Sequence, residues 1–385
     1  MRSKGQIFKL AVVGAIGAAV VCAQDAPLPN GSVSVNVGNH SPVTVISTAQ
    51  DQSRATMRGA AMVLDLHMAL TLRNDSPGRI HGITLRVVSQ EVAMGGKGSV
   101  TIPSLNVAPG EVFPIRIDMQ LVRPTQVAGG GPLAQVDLDG VLFQDLSFFG
   151  PDRLNSRRYL TACEKEAQRD RDHFKRVLAA SGKEGLGREM LDSLQRQSDL
   201  QPLAVKVRRG GPVVSSAAVA PTERMAEFAF LQIPDSPVEP VQGWAQIAGN
   251  EARAPQVEVR NRSGKPIKHV ELGWIVSDQA GKQYMAASLP SAEPGLYLPP
   301  GQSAKVLQDS TLNFSSNGQP VNVRKMTGFV NQVEFADNTV WVPSRQTIDL
   351  PVLHKVLAPS AEELRLSNLY RRKGLDAVVE ELKKY

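Results

Sequence analysis

The stretch from Gln256 to Gly301 occurs twice in this chain, and no other feature limits the fold as much. Residues 70–85 align without a gap to residues 257–272, which lie 187 positions later. The identical pairs are Arg73/Arg260, Asn74/Asn261, Ser76/Ser263, Ile80/Ile267 and Leu85/Leu272. Farther on, the matches are Pro109/Pro300 and Gly110/Gly301 at an offset of 191, and Phe143/Phe335 and Asp145/Asp337 at an offset of 192. So small a drift in offset indicates one duplicated domain with loop insertions.

The N-terminus has the pattern of a secretory signal peptide, predicted over residues 1–23. Three basic residues precede an apolar run, Leu10 to Val21, and small residues follow before Gln24. The run is shorter than the roughly 20 residues that span a bilayer. Two processing routes stay open: cleavage after Ala23, or lipidation at Cys22, which would be the chain's only attachment to a membrane. We therefore expect an exported protein of the periplasm or cell surface.

Removal of the signal peptide changes both the charge and the cysteine count. Lys plus Arg falls from 43 to 40 against 37 acids, so the net charge is +3 instead of +6. No cluster of the remaining basic residues indicates a nucleic-acid partner. Cys163 becomes the only cysteine, so no intrachain disulfide can form in the oxidising compartment. Cys163 is either a reactive thiol or a small apolar side chain in a helix.

Two regions alternate apolar and polar residues, as half-buried strands do. In residues 32–152 the apolar positions include Leu66, Met68, Leu70 and Leu72, and Gly- or Pro-containing turns separate the runs. The same pattern returns in residues 241–347. We expect a β-sandwich from each region, with its own two-layer core. The large core candidates of the second sandwich are Trp244, Trp274 and Trp341.

A helical periodicity follows each predicted sandwich. In residues 153–200 the apolar stripe includes Leu160, Ala167 and Phe174, and a second helix is predicted from Glu184 to Gln197. These helices are expected to lie on the first sandwich, because a lone amphipathic helix is marginal in water. In residues 358–385 a capping box at Ser360 begins one helix, and Gly374 separates it from the last one.

Residues 201–240 are rich in Pro, Ala and Val, which is typical of a linker that is extended in part. The apolar residues from Phe228 to Ile233 indicate that one piece docks on a sandwich. A candidate partner-binding strand is carried by Val213, Val214, Ala217 and Val219. This strand either covers an edge of its own molecule or adds to a neighbour, and a disordered linker is an equally open interpretation.

The second copy resembles the bacterial FxLYD-type immunoglobulin-like domain. The matching positions are Asn261, Ser263, Gly264, Ile267, Val270, Leu272, Trp274, Val276, Ser277, Asp278, Gly281, Leu298, Pro300 and Gly301. Trp274, Val276 and Ser277 replace the namesake Phe, Leu and Tyr. The resemblance implies a non-catalytic module of exported bacterial proteins. The predicted fold is mainly β with helical segments: two tandem immunoglobulin-like β-sandwiches, each followed by α-helices.

No catalytic, cofactor-binding or metal-binding residues are predicted. The six histidines form no zinc-binding spacing, and neither a Gly-x-Ser-x-Gly elbow nor a phosphate loop is present. We therefore expect a non-catalytic cell-envelope protein that binds a protein partner or assembles with itself. The alternative is an exported hydrolytic or carbohydrate-active enzyme whose carboxylates converge only in three dimensions.

Overall fold

The computed structural model describes residues 26–29, 31–50, 52–92, 94–125, 131–200, 202–209, 223–290, 295–307 and 310–385. The predicted signal peptide with Cys22, and the candidate strand with Val213, Val214, Ala217 and Val219, lie outside these ranges. The chain divides into two compact units. The first comprises Met1–Arg73, Arg86–Val100 and Val112–Asp137, and the second comprises Asn74–Leu85, Thr101–Glu111 and Leu138–Tyr385.

The protein is mainly β, with 46% strand and 23% helix, which confirms the predicted fold class. The strands of the first repeat are β1 (Ala26–Pro27), β2 (Val33–Asn36), β3 (Val43–Ala49), β4 (Arg54–Arg58), β5 (Ala61–Asn74), β6 (Ile80–Val88), β7 (Lys97–Ile102), β8 (Val112–Pro124), β9 (Ala134–Phe143) and β10 (Phe148–Phe149). They form two five-stranded sheets. The first contains β1, β4, β5, β3 and β8, and the second contains β10, β9, β6, β7 and β2.

In the first unit, β5 and β8 show the predicted alternation. They pair antiparallel along their whole lengths, with Leu72 opposite Phe113 and Leu70 opposite Ile115. All four of these side chains are buried, whereas Ala69, which precedes Leu70 on β5, is exposed. Directly opposed residues lie on one face of an antiparallel pair. The two strands therefore bury one continuous apolar face.

The strands of the second repeat form one hydrogen-bonded sheet of 12 strands. These are β11 (Pro202–Arg209), β12 (Arg224–Glu227), β13 (Ala229–Phe230), β14 (Val238–Ala248), β15 (Glu251–Asn261), β16 (Ile267–Asp278), β17 (Gln283–Pro290), β18 (Ser303–Leu307), β19 (Ser310–Ser316), β20 (Gln319–Pro320), β21 (Val323–Phe335) and β22 (Val340–Trp341). The sheet has two halves: one contains β12, β14, β15, β18, β19 and β20, and the other contains β13, β16, β17, β21 and β22. Both halves contribute to one core, which includes Val259 of β15, Trp274 of β16 and Val330 of β21. The halves thus pack face to face as a sandwich.

Strand β11 joins these two halves. It begins parallel to β17, with Leu203 opposite Ala286, and continues antiparallel to β19, with Val205 opposite Phe314. The strand lies in residues 201–240, the region interpreted as a linker. The described part of that region therefore contributes strands to the second repeat, and its Phe228 and Ile233 are buried.

Trp244 does not lie in the core, so that prediction was wrong, although Trp274 is buried. Trp244 is 36% exposed and stands opposite Gln256, on the outer face of β14. Its neighbour Gly243 faces inward, and a Cβ there would lie 2.9 Å from Phe228 and 3.0 Å from Phe230. Phe228 and Phe230 fill the inner position beside Gly243. Neither residue belongs to the repeated stretch, so the repeat pattern does not indicate this packing.

The helices are α1 (Ser156–Asp199), α2 (Arg345–Ile348), α3 (Pro351–His354), α4 (Ala361–Lys373) and α5 (Leu375–Leu382). Gly182, with φ 64°, interrupts α1, as the prediction of two successive helices requires. Ser360 caps α4 by accepting a hydrogen bond from Glu363 N, and Gly374 ends it. None of the described helices combines the length and apolar character needed to cross a bilayer.

The helix α1 packs only in part as predicted. Near its start, Leu160 closes on Gly82 of β6, where the missing Cβ leaves room. Farther along, its apolar stripe packs against the C-terminal helices instead. This cluster consists of Phe174, Leu186, Met190, Leu366, Val378, Val379 and Leu382. The two helical tails therefore bury each other's apolar faces, because each offers the stripe that the other needs.

Candidate functional site

The first-repeat turn after β5 is organised by a buried asparagine. Asn74 is fully buried, and its Nδ2 donates hydrogen bonds to the carbonyl oxygens of Gly78 at 2.9 Å and Val107 at 3.1 Å. Its Oδ1 accepts hydrogen bonds from Ser76 N at 3.0 Å and Ser76 Oγ at 2.7 Å. All of the side chain's usual hydrogen-bonding positions are thus used in shaping the turn.

The second repeat forms the same turn with the same bonds. Asn261 Nδ2 donates to the carbonyl oxygens of Lys265 and Leu298, both at 2.9 Å. Asn261 Oδ1 accepts from Ser263 N at 2.8 Å and Ser263 Oγ at 2.7 Å. The offsets of 187 and 191 positions seen in the sequence therefore match equivalent atoms. The duplication is preserved at the level of single hydrogen bonds.

A second turn, at the end of β9 or β21, is also shared. In the first repeat, Asp145 Oδ1 accepts from Ser147 N at 2.9 Å and Ser147 Oγ at 2.6 Å, and Phe143 N donates to Ser147 O at 3.0 Å. The equivalent bonds are Thr339 N to Asp337 Oδ1 at 2.9 Å, Thr339 Oγ1 to Asp337 Oδ1 at 2.5 Å, and Phe335 N to Thr339 O at 2.9 Å. Each repeat thus presents an aspartate and a phenylalanine from this turn.

The asparagine turn and the aspartate turn are joined by one backbone bond in each repeat. Gln144 N donates to Arg79 O at 3.0 Å, and Ala336 N donates to Pro266 O at 2.9 Å. The bond holds the side chains of the aspartate turn beside the residues of the asparagine turn. Each repeat therefore carries the same composite surface at this end.

One side chain distinguishes the two surfaces. In the second repeat the Lys265 ammonium lies 2.7 Å from Asp337 Oδ2 and 5.7 Å from the centre of the Phe335 ring. The position equivalent to Lys265 in the first repeat is Gly78, which has no side chain. Lys265 therefore covers the second-repeat surface, and nothing from the same position covers the first.

The uncovered surface is an open groove of about 530 Å³, lined by Ser76, Pro77, Gly78, Arg79, Phe143, Gln144, Asp145 and Ser147. We call it the first-repeat groove. Hydrogen bonds from the Ser147 hydroxyl and backbone N–H lower the pKa of Asp145, so this carboxyl is ionised at neutral pH. Among the residues that the structure describes, none forms a salt bridge with Asp145 within 4.0 Å. The groove thus combines a fixed negative charge with an aromatic wall.

The aspartate turn that borders the groove also contains backbone strain. Leu146, between Asp145 and Ser147, has a φ of 67°, and the equivalent Asn338 has a φ of 64°. Asparagine tolerates this left-handed conformation, whereas leucine adopts it at a cost of about 1–2 kcal/mol. Strained residues that persist tend to mark functional sites. The strain is thus found in the copy whose groove is open.

A second hollow lies between helix α1 and the second repeat, with a volume of about 520 Å³. We call it the helix cavity. Its polar lining includes Cys163, Glu166, Arg169 and Glu363, and its apolar lining includes Phe329. Burial raises the pKa of Glu166 to about 7, so its carboxyl is partly protonated at neutral pH.

The thiol in the helix cavity is not activated. Burial, followed by the charge of Glu166, raises the pKa of Cys163 to about 12. The thiolate is the nucleophilic form of cysteine, and at neutral pH it is nearly absent here. Of the two interpretations of Cys163, the structure therefore favours an unreactive side chain at a cavity wall.

Buried ion pairs fix the second carboxylate of this cavity in place. Glu363 Oε1 accepts a hydrogen bond from Ser193 Oγ at 2.7 Å and pairs with Arg196, and its Oε2 lies 3.5 Å from Arg345 Nη1. Arg345 also lies 3.6 Å from Asp170, which is fully buried. Removal of one member of such a network would leave an uncompensated buried charge. The network therefore ties helix α1 to helix α4.

The histidines are dispersed, and several pair with acids. His67 Nδ1 lies 2.8 Å from Asp118, His81 Nδ1 lies 2.9 Å from Glu164, and His173 lies 2.7 Å from Glu189. In the described ranges, no three histidine, cysteine or acidic side chains come together as a metal site would require. The candidate strand at Val213–Val219 lies outside the described ranges.

Sequence reasoning missed the first-repeat groove although its parts were visible. Asp145 aligns with Asp337, and Phe143 aligns with Phe335. The sequence signal that indicates the site is the difference between the two repeats at one aligned position, where the first has Gly78 and the second has Lys265. Its meaning depends on the contact between two turns that are separated by more than 60 positions in the sequence.

Comparisons with known proteins add no functional information. No protein-family model matches the chain, and no curated protein matches it. Similar solved structures include a selenomethionine-labelled beta-glucosidase from Kluyveromyces marxianus, at 12% identity and a TM-score of 0.14, with 71% of this chain and 45% of that one covered. A protein called pT26-6p, at 7% identity and a TM-score of 0.17, is covered over 73% of its length, against 87% of this chain. Red sea bream transglutaminase, at 8% identity and a TM-score of 0.12, is covered over 31% of its length, against 78% of this chain. TM-scores this low carry no argument about fold or function.

Proposed function

We propose that this chain is a non-catalytic, exported cell-envelope protein whose first repeat binds another protein or a second copy of the chain. Export is inferred from the predicted signal peptide, and the module type from the resemblance to FxLYD-type domains. The first-repeat groove is the proposed contact surface. The second repeat then serves as a closed structural copy of the same domain.

One observation carries this proposal: the same composite surface is covered in one repeat and open in the other. Lys265 pairs with Asp337 within its own domain, while Asp145 keeps an ionised carboxylate in the groove that the half-buried Phe143 also lines. A carboxylate without a counterion beside an aromatic ring offers two groups that a partner of complementary charge can contact. The surrounding turns are held rigid by backbone and side-chain bonds, so the surface is preorganised.

A catalytic alternative has one observation in its favour. The helix cavity is lined by two carboxylates, Glu166 and Glu363, and the pKa of Glu166 near 7 suits an acid–base catalyst. However, Glu363 is occupied by Arg196, Arg345 and Ser193, so its oxygens serve the buried network. If this alternative holds, the protein hydrolyses aryl glycosides or esters, and the Glu166→Gln variant loses that activity.

The binding proposal can be tested by cross-linking in intact cell envelopes. The affinity tag belongs directly after the predicted cleavage site. A tag fused to Tyr385 would disturb the contact of this ring with Arg171, whose Cζ lies 4.0 Å from the ring centre. Quantitative mass spectrometry should recover a partner, or a second copy, with the wild type. Recovery should fall by about tenfold with Gly78→Lys, which fills the groove.

The matched control is Asp337→Asn, which alters the equivalent aspartate in the covered copy. Recovery with this variant should equal that of the wild type. If the wild type is monomeric and captures nothing, or if both variants reduce recovery equally, the proposed function fails.

A further inference from the structure

We infer that the first-repeat groove receives a lysyl side chain from a protein partner, in the place that Lys265 occupies in the second repeat. This inference rests on the proposed function and names the chemical group that the groove recognises. The second repeat serves as an internal example of the bound state. It shows which contacts such a lysine makes, because both repeats are built on the same two turns.

In that internal example the lysine makes two contacts. Its ammonium pairs with Asp337 Oδ2 at 2.7 Å, and it lies 5.7 Å from the centre of the Phe335 ring. A cation at this distance from an aromatic face is attracted by the ring's electron density. The first repeat supplies both contact groups, Asp145 and Phe143, at aligned positions. It lacks only the lysine.

Glycine at position 78 is what leaves the place open. A Cβ built on Gly78 would lie 3.2 Å from Cδ1 of Phe143, so a side chain at this position would be directed across the ring. The backbone of Gly78 does not have the positive φ that requires glycine. The backbone of the turn therefore does not require glycine, and a side chain at position 78 would fit with a small shift of the Phe143 ring.

The groove's own cation does not take the place of the missing lysine. Arg79 lines the groove, but its Nη1 donates to Asn106 Oδ1 at 2.7 Å. Within the described part of the chain, Arg79 has no salt bridge to Asp145. The negative charge of Asp145 is thus available to a group from outside.

The chemistry of the groove favours a lysine over an anionic or an apolar group. An anion would be repelled by Asp145, and an apolar group would leave this carboxylate without a counterion. A lysine carries its charge on a flexible stem of four methylenes, which can cross the Phe143 ring before it reaches the carboxylate. A groove of about 530 Å³ has room for the stem as well as the ammonium. A protein chain is the source that presents such a stem.

The test uses the full chain, labelled with deuterium and 15N, and two small probes. Nα-acetyl-lysine methylamide imitates the lysyl side chain, and Nα-acetyl-norleucine methylamide has the same stem without the ammonium. We expect the lysine probe to produce saturable shifts of the backbone amides of residues 144–147. The norleucine probe should produce none.

Two variants and one control show where the probe binds. Asp145→Asn should weaken binding of the lysine probe by about fivefold, because it removes the ion pair but keeps the shape. Gly78→Lys should abolish saturable binding, because the new side chain occupies the groove. Asp337→Asn should leave the affinity for the probe unchanged. A melting temperature measured for each variant confirms that it is folded.

The inference is overturned by any of three results. The amides of residues 144–147 do not shift with the lysine probe, or they shift equally with norleucine, or Asp337→Asn weakens binding as much as Asp145→Asn does. Failure here is distinguishable from failure of the proposed function. If Gly78→Lys abolishes cross-linking to a partner while the lysine probe does not bind, the groove is an interface but its ligand is not a lysine.

Discussion

The two repeats keep the same pair of turns and differ in one side chain that lies across them. Asn74 and Asn261 make equivalent hydrogen bonds, and so do Asp145 and Asp337. Only the second repeat adds Lys265, which neutralises its aspartate and covers its phenylalanine. The comparison teaches that the hydrogen bonds of the two turns are shared, while the side chain at position 78 or 265 decides whether the surface beside the aspartate turn is open or covered.

The largest expected effect tests whether the turns are equivalent. Asn74→Ala and Asn261→Ala should each lower the free energy of unfolding by about 3 kcal/mol, because each leaves several buried backbone groups without a partner. All three tryptophans belong to the second repeat. Tryptophan fluorescence therefore reports the urea-induced unfolding of the second repeat, where Asn261→Ala acts. Far-ultraviolet circular dichroism reports the unfolding of both variants.

Ser76→Ala and Ser263→Ala are the milder controls for the asparagine variants. Each removes one hydroxyl from the same turn and should cost about 1 kcal/mol. A cost below 1 kcal/mol for Asn74→Ala, beside a full cost for Asn261→Ala, would show that the turns are not equivalent.

A smaller effect is expected at the strained position. Leu146→Asn should stabilise the first repeat by about 1 kcal/mol, because asparagine tolerates the left-handed backbone. Asn338→Leu should destabilise the second repeat by at least as much, since it also removes the hydrogen bond from Lys268. Thermal unfolding of both variants measures the two effects. Equal signs for the two substitutions would contradict a shared left-handed conformation.

The smallest effect is a change in acidity. The Lys265 ammonium, with help from Thr339, lowers the pKa of Asp337 well below its usual value of 3.8. Lys265→Met should raise the pKa of Asp337, and Gly78→Lys should lower that of Asp145 further. Carboxyl 13C shifts measured against pH give both values. No change in Asp337 on loss of Lys265 would mean that the ion pair does not form in solution.

Binding of the lysine probe should depend on pH in a direction set by the same groups. Asp145 must be ionised, and hydrogen bonds from Ser147 depress its pKa. Binding is therefore present above the usual carboxyl pKa of 3.8 and lost as the pH falls through the depressed value. It should be lost again near pH 10, where a lysine ammonium loses its proton. If binding of the probe were instead lost near neutral pH, a group other than Asp145 and the lysine ammonium would control it.

Much of the fold could be predicted because the determining signals were local. The alternation of Leu66 to Leu72, the asparagine turns and the helix break at Gly182 all follow from neighbouring residues. Trp244 was misplaced because its inner neighbour is covered by Phe228 and Phe230, which no repeat pattern includes. The packing of the two helical tails on each other likewise depended on contacts between distant parts of the chain.

The groove was predictable in its parts but not as a site. The aligned sequence shows Gly78 opposite Lys265 and Asp145 opposite Asp337. What the sequence cannot show is that position 78 lies beside the aspartate turn, since this contact is fixed by hydrogen bonds between separate turns. Without this contact, the difference between Gly78 and Lys265 would have no consequence for the surface around Asp145 and Asp337.

An exchange of the two residues tests the central claim most directly. A double variant, Gly78→Lys with Lys265→Gly, closes the first-repeat groove and opens its counterpart in the second repeat. In a titration with Nα-acetyl-lysine methylamide, the saturable shifts should move from the amides of residues 144–147 to those of residues 336–339. If the shifts stay at residues 144–147, or appear at neither site in a folded protein, the side chain at this position does not control access to the groove.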